Sequence, residues 1–541
     1  MKKNNNKKLI IFLSIVISIF CIGIVIKPFQ NDTFFNISIG KHLLENGIDM
    51  QEHFTWAQKD LYYSHSHWLF DIIIYLIYSV FNFTGIYITT ILFTILTALI
   101  LFWCLSKRGK SPVISFFVTI FCIYITQNAF AARSQMISFL FFIIEIYCIE
   151  QFIETNKRIY PTIVLISGII VANVHAATWP LMLILMLPYF AAAISNIFTS
   201  RFIYKKCIKN LEKKISKLPP ESERVEMYKK DIKDYERLIE ERKGKYSDYK
   251  VIKRDFYNVK GLIILFILLA LTGLITPIHG TPYTYIIKSM FGTSNFGALR
   301  SYDHIAEMQA TMPFANLPFL AFMITIIAFL AFVPSKLKSE HGFLLAGLIF
   351  MGLSSNRYAF LLVLVGAYVL NDLIISATNI LIKDDIEILE KIFSTKISFI
   401  ILVFLTSIFT TNHLLDMAKY DYASEEMYPI KAVEYIKENL DYKNIRLYNG
   451  YNYGSYLMFN DIPVFIDSRL DVYCSEFNDT DIFYDYIYIT DGIGHYEDVF
   501  DKYDFTHILL YTDEVTTPYL KTDIGYEVIY EDENFTLFEK H

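Results

Sequence analysis

The chain has 541 residues, 54% of them hydrophobic and only 19% charged, with a mean hydropathy of +0.36. That balance excludes an ordinary soluble domain, and repeated apolar runs of about 17 residues or more point to membrane helices. The net charge of −6 hides an asymmetry, with 198–260 rich in Lys and Arg and the tail acidic, and no nucleic-acid partner is expected; six Cys without a CxxC pair give no disulfide framework and argue against structural zinc.

The basic start "MKKNNNKK" precedes an apolar span at 9–27 with no cleavage site, which reads as an uncleaved anchor with its N-terminus inside. Residues 28–83 then form a first outer loop. Within it, "FFNISIGKHLLENG" has the pattern of a short interfacial helix ending at Gly47. The segment 67–81 is apolar but short. If it crossed the membrane, the next span would leave "KRGK" (107–110) outside, against the positive-inside rule, so it is expected to be half-embedded. Further spans are expected at 84–104, 112–127, 134–153, 160–175, 178–197, 260–276, 314–333, 342–355, 357–375 and 396–411. With 9–27 they make about eleven.

These spans divide the chain into an N-terminal membrane core (1–197), a basic cytoplasmic insert (198–259), C-terminal membrane helices (260–411) and a tail (412–541). The insert reads as two charged helical stretches around "LPPES". The tail carries roughly three acids per base and is expected outside, as a separate soluble α/β domain. In it "PIKAVEYIKENL" reads as a helix started by Pro429, and "NIRLYN", "IPVFID", "THILLY" and "YEVIYE" read as strands.

Polar groups collect at the outer helix ends. Asp32, Glu52, His53, His65, His67 and Asp71 lie in the first loop, and Arg133 and His175 at later outer ends. His279, Arg300, Asp303 and His304 follow in the 277–313 loop, and Arg357 begins a span. Ionisable residues at membrane depth are costly, so they face a cavity or a partner. Sugar transfer from a polyprenyl phosphate needs such a set. A carboxylate, Asp32 or Glu52, accepts the proton of the attacking hydroxyl. Fixed cations, from Arg133, Arg300, Arg357 and the histidines His65, His67 and His175, stabilise the departing phosphate. A divalent metal bridging carboxylate and phosphate is a further option, with Asp32, Glu52 and the histidines as ligands in no fixed motif. Each residue also has a plainer reading: "NDT" before an apolar run is an N-cap signature, and a lone Arg at a helix end can snorkel. In the tail, Asp467, Arg469 and Asp471 of "PVFIDSRLDVY" follow an expected strand, where a binding loop and an internal Asp–Arg pair are equally consistent.

The strings "DTFFNISIGKHLLENG", "EHFTW", "HWLFD", "ARSQMISFLFF", "VANVHAATWP", "NRYAFLLVLVGAYVL" and "YNYGSYLMFNDIPVFIDSRLDVY", in that order, resemble the GT-C superfamily of polytopic membrane glycosyltransferases. The nearest branch is a bacterial one related to the protein O-mannosyltransferases and lipid A aminoarabinose transferases. The insert 198–259 departs from the pattern. The resemblance implies a polyprenyl-phosphate-linked sugar donor, transfer on the outer face of the membrane, and an envelope glycan, glycolipid or protein as acceptor. It implies Asp32 as the catalytic acidic residue, Glu52 as a second acid, and Arg133 and Arg357 as contacts to the lipid phosphate. His67 stands in "HWL" where the pattern has an acid. A flippase for lipid-linked sugars and a non-catalytic envelope scaffold are the competing readings. A transporter would place its charges near the midplane within inverted repeats, which the chain does not show.

Overall fold

The computed structural model describes residues 2–109, 111–198, 203–219, 222–244, 249–293, 300–332, 337–381 and 385–541. The apolar runs fold as helices because a chain without water partners must satisfy its backbone internally. In chain order these are α1 (Lys2–Ile22), α2 (Asn31–Asn46), α3 (Trp68–Gly109), α4 (Pro112–Ile125), α5 (Gln135–Thr155), α6 (Ile159–Val174) and α7 (Trp179–Phe198). After the insert helices α8 (Tyr204–Ile215) and α9 (Glu223–Gly244) come α10 (Tyr249–Thr272), α11 (Thr281–Phe291), α12 (Leu317–Phe332), α13 (Ser339–Ser354), α14 (Asn356–Leu381), α15 (Asp385–Phe393) and α16 (Lys396–Met417).

Among the described residues, five helical segments are long and apolar enough to cross a membrane: Trp68–Gly109, Gln135–Thr155, Ala176–Ser195, Asn356–Thr378 and Lys396–Met417. The helices at Pro112–Ile125, Ile159–Val174, Val259–Thr272, Leu317–Phe332 and Ser339–Ser354 are apolar but shorter. Helix α3 breaks at Asn82, whose φ of 53° is not helical, so 68–81 forms a segment distinct from the longer run after it. One apolar core joins α1 to α3–α7, α10 and α12–α14. α16 packs on α1 and turns Ile397, Ile400, Phe404 and Leu405 outward, a face suited to lipid.

Charged groups from several helices and loops meet at one end of the bundle. Arg108 ion-pairs with Glu150 and with Asp372 (2.7 Å), His341 lies 3.0 Å from Glu150, and Lys338 lies 3.7 Å from Glu154.

The tail contains α17 (Ile430–Asn439), β1 (Leu447–Tyr448), α18 (Tyr451–Phe459), α19 (Leu470–Tyr473), α20 (Ile482–Thr490), α21 (Tyr496–Tyr503), β2 (His507–Tyr511), α22 (Thr517–Thr522), β3 (Tyr526–Glu531) and β4 (Phe535–Lys540). The sheet order is β1-β2-β4-β3, with β1 parallel to β2 and the other pairs antiparallel. Two expectations need correction. "IPVFID" does not join this sheet: Val464 makes an isolated parallel bridge to Thr55 of the first loop instead. The fourth strand is β4, from "FTLFEK", which pairs with both β2 and β3.

The first loop and the tail share one core. Phe34 of α2 packs edge-on against Tyr428 and Tyr456 of the tail, with ring centroids 4.9 and 5.1 Å apart. Helix α2 is therefore mostly buried, between α3 and α18, and is not an exposed interfacial helix. It can approach α3 closely because Gly40 lies against the Asp71 carbonyl, where a Cβ would come within 2.0 Å of that oxygen.

Candidate functional site

Helix α2 starts at Asn31 with Gln30 at its N-cap, so Asp32 stands in the first turn, where the helix dipole favours a carboxylate. The N-cap Gln30 side chain makes no capping bond. Asp32 ion-pairs with Arg133, just ahead of α5. Three further contacts fix this end of the helix: Arg133 donates to Gln30 Oε1 (3.1 Å), Thr33 Oγ1 donates to the Ala132 carbonyl (3.3 Å), and Asn31 Nδ2 donates to the Tyr451 carbonyl of the tail (2.9 Å).

Arg133 also pairs with Glu307 at 2.7 Å, so its guanidinium stands between two carboxylates. Glu307 carries no signal in the sequence beyond being an acid in an outer loop already rich in polar groups. Its position follows from helix capping. The first N–H groups of a helix lack internal partners, and in α14 those of Asn356 and Arg357 donate to the carbonyls of Gln309 and Glu307 (2.9 and 3.0 Å). The loop is thus stapled to the start of α14, which brings Arg357 alongside. Burial alone would raise the Glu307 carboxyl, but Arg133 and Arg357 hold it below the usual range. Unlike Arg133, Arg357 forms no ion pair with a described residue, and its Nε has no hydrogen-bond partner.

His67 and His175 complete this face, with ring centroids 4.8 Å apart. His175 Nδ1 lies 3.0 Å from Ser138 Oγ, and the Ala176 N–H donates to the Ser66 carbonyl. The His67 ring is pushed down to about 3, first by burial and then by Arg357 and Arg133, so it is neutral near pH 7. Next to it Trp68 Nε1 donates to Asn173 Oδ1 (3.2 Å), and these two residues line an apolar groove of about 510 Å³ with Ile169, Ile170, Ile275 and Pro277.

Glu52 belongs to a different cluster. Both its oxygens meet Arg469 (2.5 and 3.0 Å), and one also accepts the N–H groups of Phe54 and Thr55. Arg469 also pairs with Asp467 (2.6 Å), which accepts the Tyr473 hydroxyl at the same distance. Asp471 accepts Ser64 Oγ at 2.6 Å, and burial raises its carboxyl against the opposing effects of Ser64 and Arg469. The tail motif thus grips the first loop.

Arg300 turns to its own loop, bonding Asp303 through its backbone N–H (2.9 Å) and reaching the carbonyls of Ser289 and Met290. The next residue, Ser301, donates to Glu476 of the tail from both N–H and Oγ. His65 meets the Tyr63 ring edge-on, with centroids 4.5 Å apart, and lies 3.8 Å from Asp49. So Asp32, Arg133, His67, His175 and Arg357 gather on one face together with Glu307. Glu52, Asp467 and Arg469 form the grip beside it. For a divalent cation, Asp32 and Glu307 already share Arg133 between them. Among the described residues, the one tight group of metal-ligating types is His42, Asp49 and His53.

No protein-family model matches the chain, and no curated protein matches it in sequence. Solved structures match in fold. The oligosaccharyltransferase of Archaeoglobus fulgidus in the apo form aligns with a TM-score of 0.55 at 11% identity, over 93% of this chain and 70% of that one. The same enzyme tethered to an acceptor peptide containing the NVT sequon gives 0.52 at 11% identity, over 93% and 69%. ArnT from Cupriavidus metallidurans bound to undecaprenyl phosphate gives 0.50 at 7% identity, over 98% and 97%. Both proteins are GT-C glycosyltransferases, and at these identities the likeness is one of fold.

Proposed function

Starting from the GT-C fold, we propose that the chain is a multi-pass membrane glycosyltransferase that moves a sugar from a polyprenyl-phosphate-linked donor to a cell-envelope glycan, glycolipid or protein. The observation that carries this reading is Arg357, which forms no ion pair with a described residue and lies on the same face as the Asp32–Arg133 pair, close to His67 and the apolar groove that begins at Trp68. The groove takes the first part of the lipid chain, Arg357 and Arg133 take the phosphate, and neutral His67 and His175 hydrogen-bond around it.

In the reaction the acceptor hydroxyl attacks the anomeric carbon. A new C–O bond forms, the bond from that carbon to the phosphate oxygen breaks, and polyprenyl phosphate leaves. Asp32 accepts the hydroxyl proton. Glu52 acts at a distance: its pair with Arg469 fixes the first loop that carries α2. The face bearing Asp32 is outside and the N-terminus is cytoplasmic. This orientation is supported by the basic loops around Arg108 and Lys338 meeting at one end of the bundle.

The test is donor hydrolysis or transfer by purified protein with a panel of polyprenyl-phosphate sugars, wild type against Asp32→Asn. Turnover of one donor, falling about 10²–10⁴-fold in the variant, is the expected result. Full transfer by Asp32→Asn would remove the assigned base. Tight donor binding without turnover, unaffected by the substitution, would favour a flippase or a scaffold.

A further inference from the structure

The far end of α2 carries a second cluster that the transfer reaction does not use. His42 lies in the last turns of the helix, Asp49 and His53 follow in the loop, and His65 enters from beyond the hairpin closed by the Gln51–Tyr62 bridge. Three imidazoles surround one carboxylate: His53 Nε2 is 2.5 Å, His42 Nε2 3.8 Å and His65 Nε2 3.8 Å from Asp49 oxygens. Among the described residues no Lys or Arg ion-pairs with Asp49. His65 is the independent signal. Its side chain is 1% exposed, its Nε2 lies 3.8 Å from Asp49, and neither ring nitrogen has a hydrogen-bond partner among the described residues. His42 Nε2 is likewise buried without a partner. Leaving such groups unmet costs free energy, and a metal ion would meet them together.

We propose that His42, Asp49 and His53 bind a divalent transition metal of the zinc type, with His65 as the fourth ligand. Imidazole and carboxylate donors suit that class of ion. At metal–ligand distances of about 2.0–2.1 Å, donors around a tetrahedral ion stand about 3.4 Å apart. The ligand atoms of His42, Asp49 and His53 already lie within 4.8 Å of one another. Asp49 and His53 are about one-third exposed and free to adjust. Asn46 holds this end of the helix, its Nδ2 lying 3.2 Å from His42 Nδ1 and donating to the His42 carbonyl at 3.3 Å.

This site is separate from the transfer chemistry, because Asp32 stands about 15 Å back along the same helix. Its effect is structural. The ion ties the end of α2 to the loop next to Glu52 and Arg469, so both ends of α2 are pinned. The proposal stands whether or not the chain transfers sugar.

The experiment uses full-length protein purified without a histidine tag, stripped with a chelator and titrated with Zn²⁺ against a chromophoric competitor. Wild type and Asp32→Asn are each expected to bind one ion per chain at sub-micromolar free zinc and to gain thermal stability from it. Asp49→Asn and His42→Ala are expected to lose at least the about 10–100-fold in affinity that removing an outer contact costs. His53→Ala, at an exposed position, repeats the test if either of those variants is unstable. No binding by wild type below about 10 μM zinc, or unchanged affinity in His53→Ala and Asp49→Asn, would overturn the proposal. Loss of the ion in Asp32→Asn would move the site to the catalytic end of α2 and overturn it too.

Discussion

Glu52 and Arg469 are 417 residues apart in the chain and meet in a bidentate ion pair whose side chains are each 1% exposed. Around this pair, Val464 exchanges backbone hydrogen bonds with Phe54 and Trp56 (both 3.1 Å), and Arg469 lies over the rings of Phe54 and Tyr63. The first loop is therefore held to the tail by ionic, backbone and ring contacts at once.

Breaking one partner of such a pair leaves an uncompensated buried charge. Arg469→Met is expected to destabilise the protein by about 3–5 kcal/mol, and Glu52→Gln by a smaller amount because Asp467 still holds the guanidinium. Thermal unfolding of both single variants and of the double variant measures this. The double variant is expected to fall well short of the sum of the single effects.

Close packing of α2 on α3 sets where Asp32 sits. A Cβ at position 40 would meet a backbone oxygen, which cannot swing aside as a flexible side chain can. Gly40→Ala is expected to cost about 1–3 kcal/mol and to lower transfer, read by unfolding and by the donor assay. A variant with wild-type stability and activity would mean that the two helices separate freely.

Arg357 and Arg133 differ in what they already bind. Arg357→Gln is expected to weaken donor binding roughly 10–100-fold, the worth of one charge-assisted hydrogen bond, with little change in melting temperature. Arg133→Gln leaves Asp32 and Glu307 without their shared cation, so it is expected to lower both activity and stability. Donor titration alongside thermal unfolding separates the two roles.

Burial pushes the Glu514 carboxyl of the tail up to about 7 from an ordinary value of 4.5. The folded state therefore holds this proton more tightly than the unfolded chain does. The resulting stability is complete below about pH 4.5 and lost as pH rises through 7. Glu514→Gln is expected to flatten that part of the melting-temperature profile between pH 5 and 8. An identical profile in the variant would assign the slope to other groups.

The sequence by itself determined the helical character of the chain, because long apolar runs leave the backbone no other partners. It also carried the short helix beginning near Asp32 and ending at Gly47, and the gathering of Asp32, Arg133, His175 and Arg357 at helix ends. These are local signals, readable from hydropathy, charge and turn residues. Tertiary structure decided what those signals could not carry. "IPVFID" has the composition of a strand, yet its backbone pairs with Thr55 rather than with the tail sheet, since a strand's partner is set by what lies beside it in space. Glu52 and Asp32 look alike as acids of one loop. One is enclosed by Arg469 from the far end of the chain and the other keeps a partly exposed place beside Arg133. Glu307 has no marker in the sequence because its position depends on loop carbonyls that cap the start of α14. In each case the deciding partner is distant along the chain, and ion pairs and ladder hydrogen bonds leave no periodic trace in either of the segments they join.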